Sequence, residues 1–367
     1  MKKHIIYIVL GFTLTSAFAQ KKQYHFMDVD AFYGIALEHD KSLATAIQGN
    51  PFGFIIGYNI KNAKNANWLA YYNYPDFGFS VLYQNTNSDI LGEMYAAYTH
   101  YNFYFNDRNA KNKLQLRIAF GLGYISKPYN AISNEFNYTL ATKFAGSAYL
   151  KLNYHRDFFN KKIGLQTGLS LIHFSNAGFK NPNLGLNTLA ATIGINYNLQ
   201  KENPTFSKKE KRPKEKNKIR YNFMFRAGIN ESKIPDSGQF PFYVGTFSIE
   251  KKLNFKSTLT TGVDYFKSDF LNKYLQDESE LQTGIPNTTN FKTDRIGIFA
   301  GHELYIHNFS MVTQLGYHIY APNKYVSKIY ERLGFKHQFN DHFFTELTLK
   351  VNLFRAEGLE FGIGYRL

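Results

Sequence analysis

The sequence predicts an all-β protein: an antiparallel transmembrane β-barrel of about sixteen strands, arranged as two similar eight-strand halves. Three observations carry that expectation. Apolar and polar residues alternate with a period of two over stretches of ten or more residues, longer than the about five or six residues usual in soluble sheets. Phe and Tyr number 35 and 28 beside one Trp and no Cys, and aromatics near strand ends suit strands that cross a bilayer. The amino terminus reads as an export signal.

That signal is "MKKHIIYIVLGFTLTSAFAQ": two lysines, an apolar run from Ile5 to Leu14, then Ala-Phe-Ala. Residues 1–19 are expected to be removed between Ala19 and Gln20. The apolar run is shorter than the roughly 20 residues a spanning helix needs, and no later segment reaches that length. The absence of cysteine excludes a disulfide scaffold and cysteine-based metal sites.

Strands are expected near 26–38, 52–60, 76–86, 92–106, 112–126, 143–157, 161–175 and 186–199. In the seventh, Ile163, Leu165, Thr167, Leu169 and Leu171 form one face, opposite the small or polar Gly164, Gln166, Gly168 and Ser170. In the eighth, Leu189, Ala191, Ile193, Ile195, Tyr197 and Leu199 alternate with Thr188, Ala190, Thr192, Gly194, Asn196 and Asn198. A soluble sandwich also alternates, but it does not need so many long strands with small polar residues facing inward. Backbone that crosses lipid must close its hydrogen bonds into a barrel. Residues 20–200 therefore form the first half.

Residues 201–218 lack alternation. From Lys201 to Arg220 the chain carries nine basic residues against three glutamates, and the segment reads as a solvated periplasmic linker. The whole chain has a net charge of +15, which suits nucleic acid, acidic glycolipids or an anionic membrane surface. An exported chain does not meet nucleic acid, so lipid is the expected partner. Alternation resumes at Tyr221, and residues 219–367 form the second half. The halves end alike, in "GINYNL" (Gly194 to Leu199) and "GIGYRL" (Gly362 to Leu367), which marks an internal duplication. An even strand count puts both ends in the periplasm of a Gram-negative type envelope, with the barrel in the outer membrane. One wide barrel and two tandem eight-stranded barrels both satisfy these observations.

The candidate site is "LIHFSNAGFKNPNLGLN", Leu171 to Asn187. By parity His173, Ser175 and Asn187 all project to the lipid-facing side, at the outer end of two neighbouring strands. A histidine and a serine at i and i+2 share a strand face, and acyl transfer needs such a pair, a group to orient the imidazole, and oxyanion donors. Donors are expected from Asn176, Asn183 and the backbone at Ala177 and Gly178, with Lys180 at the substrate headgroup. Polarity on a lipid-facing parity is unfavourable without a role.

This segment resembles the active-site segment of the PagL family of lipid A 3-O-deacylases, eight-stranded outer-membrane barrels whose relatives are often called acyloxyacyl hydrolases. The family pattern H-x-S-N-A-G-x-K-x-P-N is matched at His173, Ser175, Asn176, Ala177, Gly178, Lys180, Pro182 and Asn183. The resemblance covers the first half, about residues 23 to 200. It implies Ser175 as nucleophile, His173 as its base and Asn183 as an oxyanion donor, with lipid A or lipopolysaccharide as substrate and neither metal nor cofactor. Where the family has a glutamate fourteen residues after the histidine, this chain has Asn187. Asparagine can orient an imidazole but cannot stabilise imidazolium with a charge, and no acid lies between Asp157 and Glu202. Asn187 then supports a slower reaction, an acid comes from another loop, or the enzyme is degenerate.

The second half places Val351 and Leu353 where His173 and Ser175 stand, so chemistry belongs to the first half. The expected function is a serine esterase that removes an ester-linked acyl chain from lipid A or a related glycolipid. The alternative is a non-enzymatic barrel, a pore or a structural anchor. His155, Arg156 and Asp157 are strand neighbours and make a poor triad, and His337 and His342 flank a turn without metal-ligand spacing.

Overall fold

The computed structural model describes residues 24–63, 67–206, 218–323, 327–353 and 355–367; the expected signal peptide lies outside them. Period-two alternation produces strands where expected, with ends shifted by at most two residues in the first half. They are β1 (Tyr24–Ala36), β2 (Phe52–Lys61), β3 (Asp76–Asn85), β4 (Glu93–Tyr104), β5 (Asn112–Ile125), β6 (Phe144–Phe158), β7 (Ile163–Ser175) and β8 (Leu186–Asn198). The second half follows with β9 (Ile219–Glu231), β10 (Gln239–Lys252), β11 (Ser257–Ser268), β12 (Arg295–Ile306), β13 (Phe309–Tyr320), β14 (Ile329–Gln338), β15 (Phe343–Asn352) and β16 (Arg355–Arg366).

Each half closes on itself. β1 pairs with β8 from Phe26↔Asn198 to Ala36↔Thr188, β9 pairs with β16, and every neighbouring pair is antiparallel. The result is two closed eight-stranded barrels, so the single wide barrel is excluded. Connections at 37–51, 126–143 and 269–294 share one end; the other carries short ones at 159–162, 253–256, 307–308 and 339–342 and a longer one at 62–75. Long extracellular and short periplasmic connections are the rule for such barrels, which puts both chain ends of each barrel in the periplasm. The long 269–294 connection contains α1 (Asp269–Thr283), a helix that strand alternation did not announce; Phe270 and Leu271 bury it against the barrel and Gly284 ends it in the left-handed region.

Outward side chains are apolar and bare, as lipid requires; Leu122 and Ile193 are 73% and 70% exposed. The interiors are filled. In the first barrel Arg117 makes two hydrogen bonds to Asp28, at 2.9 and 2.6 Å, and Lys151 pairs with Asp30. In the second, Arg332 bridges Asp264 and Glu360 at 2.9 and 2.6 Å. Buried charges persist only when paired and hydrogen-bonded. An eight-stranded lumen is about wide enough for its own side chains, and the wide sixteen-stranded lumen that would favour the pore alternative is not formed.

One expectation about the interior fails. The outer half of the first barrel is not polar inside: Phe32, Leu82, Met94, Tyr149, Ile172 and Phe174 form an apolar plug. At the opposite end, residues 201–206 of the basic stretch dock rather than float. Phe206 is buried against Tyr74, and its ring takes the Arg108 guanidinium at 4.4 Å. Residues 207–217 of the expected linker lie outside the described residues.

Candidate active site

β7 carries the site because its alternation has two anchors. Ile172 and Phe174 point into the apolar plug and are fully buried, so His173 and Ser175 are held outward on a rigid strand. The register sets His173 directly opposite Asn187 on β8. Across the other edge, Ser175 faces Gly146 and His173 faces Ala148 on β6, small residues that leave the lipid side of the pair open.

His173 Nδ1 lies 2.7 Å from Asn187 Oδ1. An amide oxygen only accepts, so Nδ1 carries the proton and Nε2 keeps its lone pair, the tautomer a base needs. The Ser175 hydroxyl is turned toward the β7–β8 connection. Its Oγ receives Asn183 Nδ2 and the Ala177 N–H, both at 3.1 Å, and lies 3.3 Å from Asn183 Oδ1. Two donors thus converge on the Ser175 hydroxyl. His173 Nε2 is not hydrogen-bonded to Ser175 Oγ in this resting arrangement; such contacts often tighten only with substrate.

The other residues expected to act here have different tasks. Asn176 is buried and braces the loop: its Oδ1 accepts the Gly178 N–H at 3.1 Å and its Nδ2 donates to Lys180 O at 2.6 Å. The Gly178 N–H is therefore already used. Lys180 is half-exposed and pairs with Asp236 at 3.0 Å. Gly185 has a φ of +74, and a Cβ there would stand 3.0 Å from Phe174 O and 3.2 Å from His173 Cε1. Only glycine lets the chain pass so close to the imidazole.

His39 was not anticipated. It follows β1, and Leu37 N–H donates to Asn187 O at 2.8 Å, which brings His39 beside β8. Its Nε2 lies 3.0 Å from Leu184 O, and its Nδ1 lies 3.1 Å from Leu37 O and 3.4 Å from Asn187 Nδ2. Closure of β1 on β8 was the signal that could have found it.

The remaining candidates stay structural. His155 and Asp157 do share a face and pair at 2.7 Å, but inside the barrel at the periplasmic end, away from Ser175. His342 Nδ1 donates to Arg366 O at 2.9 Å, and His337 packs on Phe309. Among the described residues no cluster of three His, Asp or Glu side chains could hold a metal ion.

A family model described as Lipid A 3-O-deacylase (PagL) matches residues 52–196, and one described as Acyloxyacyl hydrolase, C-terminal domain, matches residues 219–367. Among solved structures, the chain is similar to the outer membrane enzyme PagL at 14% identity, covering 46% of this chain and 97% of that one, with a TM-score of 0.34. It also resembles a mutant of the TodX monoaromatic hydrocarbon channel (8% identity, 95% and 90% covered, TM-score 0.18). A triple mutant of the Rhodopseudomonas blastica porin follows (6% identity, 94% and 99% covered, TM-score 0.17). These structural likenesses are too distant to carry weight, and no curated protein matches. The two family matches take in the first barrel from β2 onward, with all of the His173–Asn187 segment, and the whole second barrel, and the chain belongs to the PagL family of lipid A 3-O-deacylases, as an outer-membrane barrel enzyme with an acyloxyacyl hydrolase C-terminal domain.

Proposed function

We propose that this outer-membrane lipid A deacylase is a serine hydrolase whose nucleophile is Ser175. The observation that carries the reading is the convergence of Asn183 Nδ2 and the Ala177 N–H on Ser175 Oγ, beside a histidine whose Nδ1 is fixed by Asn187. With an ester bound, Ser175 Oγ turns to His173, gives its proton to Nε2 and attacks the acyl carbonyl carbon. The oxyanion takes the two donors that the resting hydroxyl occupied. His173 then returns the proton to the departing lipid A oxygen, and an acyl-serine remains. Water, deprotonated by the same imidazole, attacks that ester and releases a free fatty acid.

The third member is an amide, and the asparagine carbonyl stabilises the imidazolium by a hydrogen bond alone. A bond to a charged group contributes about 1.5–3 kcal/mol, so the reaction is supported at a lower rate than with a carboxylate. The outward position of the site at the long-loop end suits a substrate whose acyl chains lie in the outer leaflet. The Lys180–Asp236 pair is exposed and weak, so a lipid A phosphate can compete for the lysine.

The reading is tested on lipid A vesicles with the full chain. Mass spectrometry of wild type should show loss of one acyl chain and appearance of the matching fatty acid. Ser175→Ala and His173→Ala should each lower the rate by about a thousandfold or more. Equal release by wild type and Ser175→Ala would exclude Ser175 as nucleophile.

A further inference from the structure

The second barrel lacks the site, yet it touches the loop that completes it. Within the β7–β8 connection, Ala177 and Asn183 face Ser175, while residues 178–181 face β9, β16 and the 232–238 connection. The Asn181 N–H donates to Glu231 Oε2 at 2.6 Å, and Asn181 Nδ2 donates to Ser232 O at 2.7 Å and Glu231 O at 3.3 Å. The Glu231 N–H donates back to Gly178 O at 3.2 Å, and Gln239 Nε2 donates to Phe179 O at 3.0 Å. Lys180 meets Asp236 at 3.0 Å. Backbone meets backbone at Gly178, whose φ is +79; a Cβ there would lie 3.0 Å from Glu357 O and 3.1 Å from Ala356 O.

Glu231 and Ser232 are buried at 5% and 0% exposure. A loop at a barrel end has little of its own to hold it, whereas oxyanion donors must sit within about 0.5 Å of their working position. A carboxylate accepting a backbone N–H in a water-poor setting is a strong and directional tie. The contacts are spaced along 178–181, so they fix the loop as a body and leave its inner edge to Ser175.

We propose that the second barrel is the clamp of the catalytic loop, and that Glu231 is a positioning residue for deacylation in the first barrel. Glu231 acts through Asn181 and never touches the substrate. The proposal rests on Ser175 and Asn183 being the working groups, and one readout below does not depend on that.

The full chain in lipid A vesicles is compared with Glu231→Ala, Glu231→Gln and Asn181→Ala. Deacylation gives kcat and KM, and amide hydrogen exchange across 176–183 reports loop order without any chemistry. Glu231→Ala should lower kcat about tenfold to a hundredfold, leave KM within about twofold, and speed exchange in the loop. Glu231→Gln keeps an oxygen that accepts from the Asn181 N–H and should recover most of both readouts. Asn181→Ala leaves the second barrel's own side chains intact and keeps the N–H bond to Glu231 but removes the ties to Ser232 O and Glu231 O, so it tests the clamp even where Glu231→Ala fails to fold; it should move both readouts in the same direction, by less. Unchanged kcat in Glu231→Ala or, if that variant is unfolded, in Asn181→Ala would overturn the proposal, whatever the exchange shows. So would a Glu231→Gln as impaired as Glu231→Ala. If wild type and Ser175→Ala deacylate equally, the Ser175 reading fails, and unchanged exchange in the clamp variants would then separately exclude the clamp.

Discussion

Asn187 stands between two imidazoles. Its oxygen receives His173 Nδ1 at 2.7 Å and its nitrogen faces His39 Nδ1 at 3.4 Å. A carboxylate presents two equivalent acceptors, whereas an amide must be held the right way round, and the bond from His173 Nδ1 marks its oxygen side. Steady-state deacylation with Asn187→Glu measures what the amide costs. Asn187→Glu should raise kcat about tenfold by supporting the imidazolium with a charge. His173, Ser175 and Asn187 were legible because strand parity alone puts them on one face. His39 was not, because only the closing pair β1–β8 brings it from the far end of the half.

At the scale of the element, the β7–β8 connection converts a generic pair of polar residues into a site. Sequence reading named four donor groups here, and the structure brings only Asn183 and the Ala177 N–H to Ser175. An Asn-Ala-Gly run does not say which amide turns inward, and here Asn176 closes on the Gly178 N–H while Asn183 reaches Ser175. Asn176→Ala would strand the Lys180 carbonyl and the Gly178 N–H. That should cost about 1–3 kcal/mol locally and appear as faster amide exchange across the loop. Gly185→Ala adds a Cβ at a φ of +74 and 3.2 Å from the His173 ring. We expect about a tenfold loss of kcat, from a backbone penalty of about 1–2 kcal/mol shared with a displaced imidazole.

At the scale of the molecule, alternation is local but closure is not, which is why sixteen strands were legible and two barrels were not. The choice lies in the register of β1 on β8 and of β9 on β16. The same closure fills each lumen with paired charges, so planar bilayers containing the protein should show no steady conductance above that of protein-free bilayers. Arg117→Ala would leave Asp28 buried with only the Asn59 amide at 2.6 Å and Lys151 at 4.0 Å and should lower stability to denaturant by about 3–5 kcal/mol. The second barrel then serves the first from outside, at the loop that holds the donors. The central claim, that chemistry runs through Ser175 alone, is tested most directly by covalent capture. The full chain is treated with a long-chain fluorophosphonate, digested, and its peptides are weighed. The account predicts one phosphonyl adduct, on Ser175, that disappears in Ser175→Ala and falls sharply in His173→Ala. An adduct on another serine, or deacylating protein that takes no label at Ser175, would contradict it.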